Sequence, residues 1–408
     1  MDFDLYIPVR PNKKRCRDAA EAMRKAKAAK HAPTNTIARS VPRAPPITKL
    51  FCRLVTLCSG IEAVCQGCEN MHLPHEHLVA CEIDAKCRRV IEDNFQPGLL
   101  LEDVAAVLPQ IPDHDMLWAG APCQPFSLAG RREGLIDQTG RGVIILHVLR
   151  IIKATMPKIV VLENVSALTQ GKQKTTFEGI LQILREIRHA SRHAGLLHYH
   201  VDWRVMNTCD YGVPQSRQRL YIVCVRSDVM QMSKLPWPMP PETNLSQKLD
   251  SLLGPRPDPL TVSTALPPPH ATTARANVLA GLQYLRGIGR KPFEETHVLN
   301  IDDSPWRLSK PMKGCSPCLT QARARVGGHW ISTHGRRMGT ETMLKLQHMN
   351  PDRLRRPTDV GQTRFNAMIG NAMSVNIVEV LLAMLSRACP KALNVNGPLP
   401  CQWGVFED

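Results

Sequence analysis

The 408-residue chain lacks several features that mark membrane and secreted proteins. No apolar run approaches the roughly 18 residues needed to cross a bilayer, so we expect no membrane-spanning helix and no membrane partner. The N-terminus has no apolar core of a secretory signal, which predicts an intracellular protein. In that setting the 14 cysteines are expected to be reduced thiols rather than disulfides.

Acidic residues are scarce relative to basic ones. The chain has 36 Asp and Glu against 52 Lys and Arg, a net charge of +16, and residues 1–50 hold a large share of the excess. Positive charge favours a polyanionic partner, because neutralised phosphates release counterions. The composition therefore predicts nucleic-acid binding, with a basic surface kept for solubility as the alternative.

Residues 1–49 have the composition of a basic, disordered tail. They include Arg10-Pro-Asn-Lys-Lys-Arg-Cys-Arg17, a cluster typical of nuclear import or of nucleic-acid binding. We expect a nuclear protein if the source is eukaryotic and a cytoplasmic one otherwise. In the second case the cluster would serve as a DNA-binding arm.

Short β-branched runs alternate with helix-length segments between residues 50 and 227. This alternation predicts an α/β domain with a mostly parallel sheet flanked by helices. The predicted strands are Arg53–Leu57, His77–Cys81, Asp115–Trp118, Lys158–Leu162, His200–Val205 and Leu220–Val225. Ligands of such sheets bind beyond the carboxyl ends of the strands.

The composition changes again after residue 227. Residues 228–350 begin rich in proline and are weakly periodic, which predicts a small, irregular second domain. Four aromatic residues are expected to supply buried surface there: Trp237, Tyr284, Phe293 and Trp306. Residues 351–390 are predicted to return to the first domain through an apolar helix over 372–385, and 391–408 to form a C-terminal tail.

Three polar features suggest a cofactor site at the strand ends. Leu57-Cys-Ser-Gly-Ile-Glu-Ala63 follows a strand and opens a helix, where backbone N–H groups can face a ligand. Glu82 lies 22 residues beyond Gly60, a spacing at which a carboxylate can accept hydrogen bonds from ribose hydroxyls. Asp103 ends the next strand region. Because no P-loop lysine is present, a nucleoside-bearing cofactor is favoured over a bare phosphate. An ordinary βα turn is the alternative.

Three further features suggest covalent chemistry. Cys123, in Gly120-Ala-Pro-Cys-Gln-Pro-Phe-Ser127, lies on a turn after a buried strand and is a candidate nucleophile. Glu163 ends another apolar strand and could hold a proton for a ring nitrogen, or act as a structural acceptor. Gln215, Arg217 and Arg219 would share one face of a strand, suited to a phosphate or a flat polar base. A solvated sheet edge is the alternative.

Together these features resemble the cytosine C5-specific DNA methyltransferases. Eight blocks occur in the family's order and cover roughly residues 52–388. They are Leu57–Ala63, Cys81–Asp84, Glu102–Val104, Ala121–Ser127, Leu162–Val165, Gln215–Arg219, Leu346–Asn350 and Ile369–Met373. The resemblance implies a Rossmann-like doubly wound methyltransferase domain with a smaller target-recognition domain.

The resemblance also implies a reaction. Cys123 would add to C6 of a flipped cytosine, Glu163 would protonate N3, and Arg217 and Arg219 would hold the base and the neighbouring backbone. The implied cofactor is S-adenosyl-L-methionine, bound by Ser59, Gly60, Ile61, Glu62, Glu82, Ile83, Asp103, Val104 and Asn371. The implied partner is double-stranded DNA, bound by a monomer through Gln124, Ser127, Arg131, Arg141 and Gln215. The Gly- and Arg-rich loop 130–142 is expected to close over it as a lid.

Some positions depart from the family pattern, and some alternatives remain open. Cys58 and Glu62 replace residues that are usually aromatic and glycine, and Ile83 stands where an aromatic residue often lies under the adenine. No metal is predicted, although Cys65, Cys68, His72, His75 and His77, or Cys315 and Cys318, have zinc-like spacings. A tRNA methyltransferase is the alternative enzyme, disfavoured because the chain has no Cys-Phe-Thr signature. A non-catalytic DNA-binding paralogue is the other alternative.

Overall fold

The structure is a computed structural model that describes residues 51–121, 143–191, 195–304 and 310–406. Within these ranges the main element is a seven-stranded sheet of order β3-β2-β1-β4-β5-β9-β8. Its strands are β1 (Cys52–Leu57), β2 (His75–Cys81), β3 (Leu99–Leu101), β4 (Met116–Gly120), β5 (Ile159–Val165), β8 (Tyr199–Asn207) and β9 (Gln218–Arg226). A separate hairpin pairs β6 (His189–Ser191) with β7 (Gly195–Leu197).

Strands β1 to β5 are parallel, and β9 and β8 are antiparallel to their neighbours. The six predicted strands are therefore confirmed, each extended or shifted by a few residues. The strand order reverses between β1 and β4, since the chain runs from β1 to β2 and β3 on one side before returning to β4. A crevice opens at such a switch point, beyond the carboxyl ends of the two strands.

Alternating side chains of the strands build a core on each face of the sheet, as expected for parallel strands buried on both sides. On one face, Leu54, Trp118 and Val161 pack with α1 (Ala63–Asn70) and α11 (Val375–Ala388). On the other face, strand residues pack with α3 (Ile144–Thr155) and α4 (Lys174–Glu186). Helix α2 (Ala85–Asn94) connects β2 to β3. The α/β fold is thus confirmed.

Residues 228–350 contain more regular structure than the prediction of an irregular domain allowed. Their helices are α5 (Leu245–Leu253), α6 (Pro259–Thr264), α7 (Thr272–Gly287), α8 (Gln321–Arg325) and α9 (Gly339–Leu346). A small sheet of order β11-β10-β12-β13 joins β10 (His297–Leu299), β11 (Met312–Lys313), β12 (Trp330–Ile331) and β13 (Arg336–Arg337). Contacts group Leu50–Asp408 into one compact unit, and the boundaries at 228 and 350 stay predictions.

The aromatic residues expected to fill this region are placed unequally. Trp237 and Phe293 are partly buried against hydrophobic clusters, whereas Tyr284 is 39% exposed. The prediction for Tyr284 was wrong because α7 buries the opposite face, with Val278, Leu282 and Leu285 turned inward. Trp306 lies outside the described residues.

The C-terminal helices complete the core. Helix α10 (Gln362–Asn371) precedes α11, and α12 (Pro390–Leu393) follows it. The segment Gln362–Ala388 is long and apolar enough to cross a membrane by length and composition, with a mean hydropathy of 1.7. However, 89% of that window is buried inside the protein, as in the core helix of a globular fold. The predicted helix over 372–385 is α11, starting three residues later.

Candidate active site

The loop between β1 and α1 has an unusual backbone. Cys58, Gly60 and Glu62 all have left-handed conformations, with φ values of 53°, 60° and 58°. This conformation is natural for glycine and costs other residues roughly 1–2 kcal/mol. Cys58 and Glu62, two of the positions that depart from the family pattern, therefore lie where backbone strain is stored, and contacts elsewhere must stabilise the loop.

A buried polar cluster beneath this loop supplies such contacts. The hydroxyl of Thr56 donates to Glu62 Oε1 at 2.9 Å and lies 2.9 Å from His77 Nε2. The thiol of Cys65 donates to Glu62 Oε2 at 3.6 Å and lies 3.4 Å from His77 Nδ1. Burial raises the pKa of Glu62 to about 7 and lowers that of His77 to about 4. The Glu62 side chain thus stabilises the loop through its buried hydrogen bonds with Thr56 and Cys65.

The cluster also bears on the metal alternatives. In the part of the chain that the structure describes, Glu62, Cys65 and His77 form the one group whose ligand atoms all lie within 4.8 Å of one another. Cys65 is within hydrogen-bonding distance of both other side chains, and His77 Nε2 lies 3.8 Å from Glu62 Oε1. Cys68, the next cysteine of the zinc-like spacing, is fully buried in the hydrophobic core instead.

Glu82 connects the end of β2 to the same loop. Its carboxylate accepts the backbone N–H of Gly60 at 2.8 Å and that of Asp84 at 2.9 Å. Burial raises the pKa of Glu82, although these two hydrogen bonds oppose that effect. The predicted cofactor acid is therefore positioned by the backbone of the predicted cofactor loop.

Apolar and polar side chains surround this edge of the sheet. Ile83 follows Glu82 and is 62% exposed, which leaves an apolar surface open to a flat ring. Asp103 accepts the N–H of Ala105 at 3.0 Å, and Val104 is buried beside it. Ile61 is fully buried in the core, so only its backbone can face a ligand.

A small cavity of about 40 Å³ opens between β1 and β4, at the switch point of the sheet. Its walls join the loop with the ends of three other segments: Thr56–Gly60, Glu62–Val64, Trp118, Gly120, Glu163 and Asn371–Met373. Gly120 leaves little room there, because a Cβ at this position would lie 3.0 Å from Met373 Cε. The fold thus brings predicted cofactor residues and the predicted acid into one cavity.

Glu163 and Arg219 form an ion pair at the edge of the cavity. Glu163 pairs in register with Gly120 on β4 and with Tyr221 on β9. Arg219 Nε lies 3.1 Å from Glu163 Oε1, and both side chains keep 12–15% of their surface exposed. A guanidinium beside a carboxylate fixes the orientation of that carboxylate.

Arg217 has a different environment from Arg219. Its guanidinium is buried and donates to the carbonyls of Leu319 (3.0 Å), Gly370 (3.3 Å) and Ala372 (2.6 Å). Burial and the nearby Arg219 lower the pKa of Arg217. This side chain ties its own segment to two others, at Leu319 and at Gly370 to Ala372.

The predicted polar strand face is therefore wrong. Strand β9 begins at Gln218, so Gln215 and Arg217 precede it, and both of these side chains are buried in the protein. Gln215 is fully buried, donates to Leu346 O at 2.7 Å and accepts from Leu319 N at 2.8 Å. With both ends of its amide bonded, Gln215 has no group to offer DNA in this conformation.

Several predicted site residues lie outside the described residues. These are Cys123, Gln124, Ser127, Arg131, Arg141 and the loop 130–142. Cys123 follows Ala121, the last described residue after β4, by two positions in the chain.

The structure also reveals residues near the site that sequence reasoning missed. Thr56 and His77 join the cluster under the loop, and Met373 lines the cavity. Cys318 lies 3.7 Å from Arg217 Nη1. In the sequence, the signal for this thiol is the Cys315-Ser-Pro-Cys318 spacing, which resembles a zinc motif.

Comparisons with known proteins agree with this geometry. A family model for the C-5 cytosine-specific DNA methylases matches residues 52–387. The Type II methyltransferase M.NgoBI of Neisseria gonorrhoeae is 37% identical over 172 residues, covering 42% of this chain and 50% of that protein. The Type II methyltransferase M.HaeII of Haemophilus aegyptius is 37% identical over 176 residues, covering 43% and 48%. The chain thus spans about half the length of these relatives.

A solved structure supports the fold independently. It is described as a putative DNA modification methyltransferase encoded within an Escherichia coli prophage. The similarity covers 84% of this chain and 99% of that one, with a TM-score of 0.55 and 17% identity.

Proposed function

The chain belongs to the family of C-5 cytosine-specific DNA methylases, and from this premise we propose that it methylates C5 of cytosine in double-stranded DNA with S-adenosylmethionine. The observation that carries the proposal is the cavity at the switch point of the sheet. The loop of the predicted cofactor site and Glu163 line the same cavity. A methyl donor and a base-protonating acid must meet at such a place for this reaction.

The residues at the cofactor edge fit a nucleoside-bearing methyl donor. No heavy atom lies within 4 Å of the Cβ position of Gly60, so the loop leaves open space at this backbone. The exposed side chain of Ile83 can cover one face of an adenine, and Glu82 has lone pairs left for ribose hydroxyls. Asn371 closes the other side of the cavity. S-adenosylmethionine would supply the methyl group there.

The proposed reaction begins at Cys123. Its thiolate would form a bond to C6 of a cytosine flipped out of the duplex, because C5 and C6 are not accessible within the stack. The addition at C6 makes C5 electron-rich, and Glu163 would give a proton to N3, which neutralises the negative charge that the addition places on the ring. After methyl transfer, water would take the C5 proton, the bond between the Cys123 sulfur and C6 would break to release the thiolate, and N3 would return its proton to Glu163, which restores the aromatic ring.

The two arginines have separate parts in this proposal. Arg219, held 3.1 Å from Glu163, would orient the acid and contact the flipped base or its phosphate. Arg217 would act indirectly, because its hydrogen bonds fix the backbone at Leu319 and at Ala372. We therefore assign Arg219 to the substrate and Arg217 to positioning.

A methyl-transfer assay tests the proposal. Tritiated S-adenosylmethionine is incubated with the full chain and either duplex DNA or tRNA, and incorporation into each is counted. We expect label in DNA, lost in Cys123→Ala and kept in the matched variant Cys401→Ala, whose thiol is half-buried elsewhere. Incorporation of label into tRNA but not into DNA would contradict the proposal and identify the protein as a tRNA methyltransferase.

A second assay tests the covalent step. Duplex DNA containing 5-fluorocytosine should trap an adduct, because fluorine cannot leave C5 as a proton does. We expect a denaturation-resistant complex that Cys123→Ala does not form. DNA binding without any adduct would identify a non-catalytic DNA-binding protein.

A further inference from the structure

The loop between β11 and α8 carries two cysteines, Cys315 and Cys318, and docks on the arginine segment. Ser316 exchanges two backbone hydrogen bonds of 2.8 Å with Pro214 and Ser216. Gln215 accepts the N–H of Leu319 at 2.8 Å. The loop is thus held on both sides of Cys318, and the sulfur of Cys318 lies 3.7 Å from Arg217 Nη1.

Cys318 differs from the other accessible thiols in charge environment. Four cysteines in the described ranges are half-buried: Cys58, Cys209, Cys318 and Cys401. Burial raises the pKa of Cys58 and Cys401, and a hydrogen bond to Cys315 raises that of Cys209. Burial also opposes ionisation of Cys318, but Arg217 and Arg219 outweigh it and lower the pKa of this thiol.

A second thiol lies on the same loop. Cys315 is separated from Cys318 by Ser316 and Pro317, the C-x-x-C spacing of dithiol redox motifs. A hydrogen bond from the thiol of Cys209 lowers the pKa of Cys315. Reactive cysteines occur in electropositive, partly accessible surroundings with a resolving thiol close by.

We propose that Cys318 is a redox-reactive thiol of the arginine site, and that Cys315 resolves its oxidation by peroxide into a reversible Cys315–Cys318 disulfide. The Cys318 thiolate attacks one peroxide oxygen, the O–O bond breaks, and hydroxide leaves to give a sulfenic acid. The Cys315 sulfur then attacks the Cys318 sulfur, the S–O bond breaks, and the departing hydroxide takes the Cys315 proton. Two thiols are oxidised, and peroxide is reduced to two waters. A dithiol reductant reverses the change.

Peptide mass spectrometry tests the site directly. The reduced full chain is treated with increasing hydrogen peroxide, alkylated with iodoacetamide and digested with trypsin without reduction. Cleavage after Lys313 and Arg323 releases residues 314–323, whose only cysteines are Cys315 and Cys318. We expect this peptide to lose two hydrogens and to escape alkylation, and to recover both alkylation sites after dithiothreitol.

Cys401 serves as the internal reference, because it is also half-buried but burial raises the pKa of its thiol. In a limiting iodoacetamide pulse at pH 7 we expect Cys318 to react about tenfold faster than Cys401. In Cys315→Ser the sulfenic acid cannot be resolved in this way, so dimedone should label Cys318. Circular dichroism confirms that this variant is folded.

Two outcomes would overturn the proposal. One is alkylation of Cys318 at no more than the Cys401 rate, with no two-hydrogen loss in the 314–323 peptide. The other is a cross-link between Cys209 and Cys315 in its place. Neither measurement uses methyl transfer, so failure here leaves the proposed function unaffected.

Discussion

Substitutions of the two arginines in the Gln215–Arg219 segment are expected to have opposite effects: one should lower stability and the other should abolish activity. Arg217→Met keeps the apolar stem but removes the donors for three buried carbonyls, at Leu319, Gly370 and Ala372. Each carbonyl left without a partner costs about 1–3 kcal/mol, and relief from burying a charge offsets part of the sum. We therefore expect the free energy of unfolding to fall by about 3 kcal/mol.

The size of the protein converts this cost into a temperature. The compact unit Leu50–Asp408 has an unfolding entropy of about 0.75 kcal/mol/K at about 2.1 cal/mol/K per residue. A loss of about 3 kcal/mol then lowers the Tm by about 4 °C. Differential scanning calorimetry measures this shift, and urea unfolding gives the free energy separately.

Arg219→Met is the matched control. It removes one ion pair at the edge of the cavity, where water can solvate Glu163, so we expect a cost of about 1 kcal/mol. Its main effect should be loss of methyl transfer at nearly unchanged Tm. The reasoning fails if Arg217→Met melts at the wild-type temperature, or if Arg219→Met is the less stable variant.

Three further predictions concern the packing, the buried acid and the cofactor site. Gly67→Ala should destabilise the protein by about 1–3 kcal/mol in urea unfolding, since its Cβ would lie 2.5 Å from the Val378 side chain of α11. The control Gly179→Ala has open space around its Cβ and should stabilise the protein by about 0.5–1 kcal/mol. Burial raises the pKa of Glu62 to about 7, so the contribution of Glu62 to the stability of the fold is complete below pH 4.5 and is lost as pH rises through 7. Glu62→Gln should therefore gain stability relative to wild type over that window. A constant difference in stability across pH would disprove this. The buried His77, whose pKa is lowered, makes stability rise with pH in both proteins, so only the difference between the wild-type and Glu62→Gln stability profiles tests Glu62. Ile83→Ala should weaken S-adenosylmethionine binding by about 5- to 30-fold in calorimetry at unchanged Tm, with the exposed Leu260→Ala showing neither effect.

Much of the fold was predictable because its signals are local. Each strand of the central sheet is a short apolar run with clear boundaries, so Ile159–Val165 and its neighbours were identified without tertiary information. The loop at Gly60 and the acid at Glu82 were identified from spacing, since the fold places consecutive strand ends at one edge. The exposed face of α7, with Tyr284, was misjudged because burial depends on which face the rest of the chain covers.

Sequence alone therefore determined the family, the α/β layout and the order of the chemical parts, because these follow from residue types at fixed spacings. The tertiary structure decided what each polar side chain does. Arg217 and Arg219 are two residues apart and chemically identical, yet one is enclosed by backbone carbonyls and the other faces Glu163. Likewise, only folding brings Cys318, about 100 positions later in the chain, against these arginines. A side chain's charge state and partners are set by neighbours distant in sequence, and no local pattern contains them.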